Sequence, residues 1–158
     1  MTTQPNPTFT SAEQAALAGL LDVMIPPGRD GRMPGAGQIG LGTRLSTDLA
    51  AHPELVAVVR AGLAALDTKA RAQGAAAFVS LDPERRAAVV HAQHEHDSSL
   101  VSTLLFPVLV GYYEHPRVLE ALGVEPRPPF PLGYELPPFD PTLLEPVRKR
   151  GRKLYREC

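Results

Sequence analysis

SSLVSTLLFPVLVGYY, residues 98–113, carries apolar side chains on every side of a helical wheel. A helix that is apolar all round belongs in the middle of a fold or against a partner. At sixteen residues, with Ser98, Ser99, Ser102 and Thr103 in its first half, it is too short and too polar to cross a bilayer, which takes about 20 predominantly apolar residues. The stretch therefore reads as the central helix of a soluble fold. Pro107 removes one backbone donor and crowds the carbonyl four residues back, which predicts a kink near Thr103. Gly111-Tyr112-Tyr113-Glu114-His115-Pro116 then ends the helix and carries two aromatic rings to its rim.

A chain of 158 residues is long enough for one domain that buries roughly 70% of its unfolded surface. Its net charge of −1 gives no reason to expect nucleic acid or an anionic membrane as partner. The single cysteine, Cys158, is the last residue, so an internal disulfide and a CxxC metal site are both excluded. The opening MTTQPNPTFTSAEQ has neither a basic nor an apolar signal region, so the expected location is cytoplasmic. A periplasmic protein would need a signal already removed, or a partner that exports it.

Upstream of the central helix the chain reads as a series of amphipathic helices. Residues 1–8 read as a loose polar arm. Thr10-Ser11-Ala12-Glu13 has the spacing of a capping box, and Leu17, Leu20, Leu21 and Met24 repeat on one helical face. Pro26 and Pro27 stop that helix. GRDGRMPGAG, residues 28–37, is rich in glycine but lacks GxGxxG or GK[ST], so it reads as a connection rather than a phosphate cradle. A second helix is expected over 38–50, with Ile39, Leu41, Leu45 and Leu49 as a weaker stripe. A third opens at Pro53, repeats Leu55, Val56, Val59, Leu63 and Leu66, and ends at Gly74. Phe78, Val79 and Leu81 make a short apolar plug. Asp82-Pro83-Glu84 starts a fourth helix with an N-cap carboxylate and a proline in its first turn. Its end, HAQHEHD, reads either as a turn or as a polar face on one long bent helix. His115-Pro116 opens a last short helix closed by Gly123.

Beyond it the composition changes. Eight of the 17 prolines lie between Pro126 and Pro146, interleaved with Phe130, Tyr134 and Phe139. Proline-rich chain is pre-extended, so residues 124–158 read as an extended strap laid on a surface, with its aromatics as anchors. The last seventeen residues hold six Lys/Arg against two acids, whereas residues 1–141 hold ten against fifteen. That basic end suits an acidic protein surface.

Reactive groups are sparse. His91, His94, Glu95 and His96 are the one dense group of metal-ligand types, but their order, HxxHE, matches no zinc-protease motif. Two helical ligands would need a third from elsewhere, such as His52 or His115. The group reads as a solvated or interface polar patch; the alternative is a small metal-dependent enzyme using His91, His94 and Glu95. There is no GxSxG, and terminal Cys158 has no base near it in the sequence pattern. No catalytic, cofactor-binding or metal residue is therefore assigned. The expected contact residues are Phe106, Tyr112, Tyr113, Phe130, Tyr134, Phe139, Arg148 and Arg150.

FTSAEQAALAGLLDVMIP, then PGAG, then GLAALDTKARAQG and FVSLDPERRAAV, then an apolar helix running into GYYEHPRVLEALG, together resemble the gluconate 2-dehydrogenase subunit 3 family. The resemblance spans about residues 9–123 and rests most on Met24-Ile25-Pro26, Leu81-Asp82-Pro83-Glu84-Arg85-Arg86 and Gly111-Tyr112-Tyr113. It implies a cofactor-free helical accessory subunit for a large FAD-dependent dehydrogenase of the glucose-methanol-choline type. That partner would oxidise a sugar, sugar acid or glycoside, in some members passing electrons to a cytochrome c subunit. A helical adaptor for an unrelated protein is the other binding-class alternative. The expectation is thus an all-α fold: an arm over 1–8, an irregular helical domain over 9–123 around the central apolar helix, and a partner-contacting tail over 124–158, without nucleic-acid binding or membrane insertion.

Overall fold

The computed structural model describes residues 8–127, 133 and 135–150. Seven α-helices and no strand occur among them. The first, α1 (Ser11–Met24), starts where the capping box predicts. Thr10 Oγ1 accepts from the Glu13 N–H at 3.2 Å, and Glu13 Oε2 accepts from the Thr10 N–H at 2.8 Å. Arg60 from α3 (Pro53–Ala72) adds a 2.7 Å ion pair to the same carboxylate.

Burial alone would raise the Glu13 pKa, but the hydrogen bonds from Thr10 and Arg60 outweigh it and hold the carboxyl below its ordinary 4.5. A lowered folded pKa means that the stabilisation is present above the unfolded value and lost as pH falls through the folded one. Glu13→Gln keeps the capping geometry but loses the charge paired with Arg60 at the helix start, and should therefore cost about 1 kcal/mol at pH 7. Urea titrations at stepwise lower pH should show the gap between variant and wild type narrowing below pH 4.5.

Leu17, Leu20 and Leu21 of α1 are fully buried. This helix, rather than residues 98–113, is the hub: it touches α2 (Leu41–Leu49), α3, α4 (Pro83–His96) and the 3₁₀ turns Ala36–Ile39 and Phe78–Ser80. The expected second helix is split. Ala36–Ile39 winds as a 3₁₀ turn, Gly40 takes a left-handed φ of +73°, and only then does α2 begin. Leu41, Leu45 and Leu49 nonetheless point inward as their spacing predicts. Val56, Val59, Leu63 and Leu66 do the same in α3, which Gly74 closes at φ +83°. Phe78 and Leu81 plug the core, but Val79 is turned out.

Asp82 caps α4 by accepting from the Arg85 N–H at 2.9 Å. The run HAQHEHD is not a face of one long bent helix, because two separate helices meet at a turn within it. Residues through His96 are the end of α4, and Asp97-Ser98 is the turn into α5 (Ser99–Tyr113). That helix continues through Pro107 as one piece. It packs on α3 at Gly62, where an added Cβ would lie 2.7 Å from the Leu100 Cβ, so the missing side chain sets the closeness of the two helices. A short α6 (Pro116–Ala121) follows, with Gly123 in the left-handed conformation behind it.

The chain divides into two units between Arg127 and Pro128. The second is not wholly extended. Residues 135–140 are irregular, but Asp140 accepts from the Thr142 N–H at 2.9 Å and opens a 3₁₀ turn, Pro141–Leu144, followed by α7 (Glu145–Lys149). Pro141 and Pro146 occupy first-turn positions, where a missing N–H costs no helical bond, so these prolines start helical turns instead of forbidding them. Every described residue of the second unit is exposed.

Candidate partner interface

The wheel of α5 divides into two arcs. Leu100, Leu104, Val108, Gly111 and Tyr112 face inward. Leu105, Phe106, Leu109 and Tyr113 face outward, 50, 76, 40 and 52% exposed. The outer four are related by steps of three and four residues, so they form one stripe on the helix surface. An uninterrupted exposed apolar stripe of this kind marks an interaction surface. Burying what these four now expose is worth about 4 kcal/mol before the costs of association.

Three contacts hold the stripe in place from behind. Tyr112, 1% exposed, donates its hydroxyl to the Pro34 carbonyl at 2.7 Å, tying the end of α5 to the glycine-rich loop. Burial pushes the Tyr112 phenol up from its usual range, which keeps the hydroxyl a donor. Arg44 of α2 pairs with Glu114 at 2.8 Å, just past the helix end. The Tyr113 ring stands edge-to-face on Tyr112, centroids 5.2 Å apart. Tyr112 is therefore a correction to the expected contact set: the ring that sequence reasoning placed at the rim is inside, because the chain needs a donor for the buried Pro34 carbonyl. Tyr112→Phe should cost about 1–2 kcal/mol by leaving that carbonyl unpaired, read as a lower urea midpoint with an unchanged slope.

Phe106 and Tyr113 lie on the surface stripe, and Phe139, Arg148 and Arg150 are exposed on the second unit. Phe130, Tyr134 and Cys158 lie outside the described residues. Sequence reasoning passed over Leu105 and Leu109. Their signal was present: once Leu100, Leu104 and Val108 are taken as the buried row, these two fall on the far side of the wheel.

His91, His94, Glu95 and His96 are all exposed on α4. His91 and His94 rim a shallow apolar groove of about 170 Å³ with Val23, Met24, Val90 and Val101. His52 lies 3.5 Å from Glu54, and His115 caps α6 through Nδ1, so neither completes a ligand set with them. Among the described residues no group of three or more His, Cys, Asp or Glu is placed to hold a metal. A cleft of about 350 Å³ beside α1 contains Asp22 and Arg86. Both already serve the fold: Asp22 accepts from the Gly37 N–H at 2.8 Å, and Arg86 donates to the Leu81 carbonyl at 2.9 Å. No described helix is long and apolar enough to cross a membrane.

The family model described as Gluconate 2-dehydrogenase subunit 3 matches residues 11–126, from the first residue of α1 to just beyond α6, and so takes in the whole α5 stripe. Searches of curated proteins and of solved structures returned no match.

Proposed function

Since the chain belongs to the gluconate 2-dehydrogenase subunit 3 family and is thereby an accessory subunit of a multi-subunit dehydrogenase complex, we propose that the α5 stripe is where it grips a large FAD-dependent catalytic subunit of the glucose-methanol-choline type. The observation that carries this reading is the row Leu105, Phe106, Leu109 and Tyr113, left open by a helix whose other side is fully packed. Such a row has no use in a solitary subunit and costs it solubility.

In this reading the FAD and the pocket for a sugar, sugar acid or glycoside belong to the catalytic subunit. The accessory subunit contributes mass action: a ligand that binds the folded partner and not its unfolded chain stabilises it by about 2.7 kcal/mol at a hundredfold excess over Kd. Affinity-tagged full chain, expressed in its native host, should bring down a large protein with flavin absorbance, while the chain purified alone shows none. Recovery of no flavoprotein would refute the reading. The recovered dehydrogenase should also melt at higher temperature as the accessory subunit is titrated in.

A further inference from the structure

The second unit presents its own row of exposed apolar side chains. Leu136, Phe139, Leu143 and Val147 are all exposed, spaced by three, four and four residues. None of the described residues of this unit is buried, so these side chains support no core. Four prolines, Pro137, Pro138, Pro141 and Pro146, restrict the backbone among the anchors, which lowers the entropy lost when the segment is fixed on a surface. At the end of the row stand three cations. Lys149 is turned back to Glu145 at 3.2 Å, while Arg148 and Arg150 make no ion pair among the described residues. Leu136 follows Arg127 by nine residues.

We propose that residues 135–150 are a second docking element for the same catalytic subunit, seating Leu136, Phe139, Leu143 and Val147 in an apolar groove whose lip is acidic and pairs with Arg148 and Arg150. This rests on the accessory-subunit reading. The charge names the occupant: an apolar row that ends in two guanidinium groups without an ion pair among the described residues is matched by a groove bordered by carboxylates. Because the row is joined covalently to the α5 stripe, its binding is intramolecular once α5 has engaged. The two weak contacts then act as one strong one.

The test titrates full-length chain and its variants into the flavoprotein at low and high salt. Phe139→Ala with Leu143→Ala should weaken binding on the order of tenfold or more at both salt concentrations. Arg148→Glu with Arg150→Glu should weaken it mainly at low salt, flattening the salt dependence. Neither pair touches a buried residue, so both variants should keep the wild-type melting temperature. If both bind within about twofold of wild type while Phe106→Asp has lost affinity, the second docking element is wrong and the α5 reading stands. If the wild-type chain itself forms no complex, the accessory reading fails first. Vesicles of phosphatidylcholine with phosphatidylglycerol provide the remaining arm. Sedimentation of the wild-type chain with them, lost in the tail variants whose affinity for the flavoprotein is unchanged, would overturn the proposal in favour of a lipid surface.

Discussion

Phe106→Asp should cut the affinity for the catalytic subunit on the order of a hundredfold, about 3 kcal/mol, and leave the free subunit folded. Phe106 is the most exposed member of the α5 stripe. Aromatic side chains at the centre of an interface carry a disproportionate share of binding energy, and a carboxylate set among Leu105, Leu109 and Tyr113 would be desolvated without a partner. In the free subunit the same position faces water. A change there should move stability by no more than about 0.5 kcal/mol. Circular dichroism melts and titration against the flavoprotein separate the two effects. Unchanged affinity in a folded variant would show that α5 is not the gripping surface.

Two glycine substitutions five residues apart should move stability in opposite directions. At Gly37 an added Cβ would sit against the Ala18 carbonyl oxygen of α1, with the Asp22 carboxylate 2.9 Å away. The obstacle is backbone, which cannot swing aside, so Gly37→Ala should cost about 3 kcal/mol, at the upper end of overpacking penalties. For a chain of this size that lowers the melting temperature by about 9 °C. At Gly42 the new methyl would meet only Leu17 and Leu21, at 3.7 and 3.8 Å. Gly42→Ala fills ordinary contact distance inside a helix and should stabilise by about 0.5 kcal/mol. Denaturant midpoints of the two variants decide the matter. A Gly37→Ala protein as stable as wild type would mean that the seam between α1 and the Ala36–Ile39 turn is looser than it stands here.

Helix starts were the most legible features of the chain. Thr10 with Glu13, and Asp82 with Pro83, are local signals that act through one turn of backbone, and both helices begin where those residues put them. The inward stripes of α1, α2 and α3 were equally legible, because a spacing of three and four residues is a property of sequence alone. The proline-rich tail was less so. Composition announced extension, but whether a proline stops a turn or opens one depends on its position relative to a cap such as Asp140.

For residues 98–113 the sequence by itself determined a helix and its apolarity on all sides. It did not determine which side faces the core, since periodicity vanishes when every position is greasy. Packing decided that: Gly62 lets α3 approach Leu100, the Pro34 carbonyl draws Tyr112 inward, and the arc opposite, Phe106 with its neighbours, is left for another protein. A surface of this kind exists only once distant segments have met, because each of those contacts joins residues more than thirty positions apart.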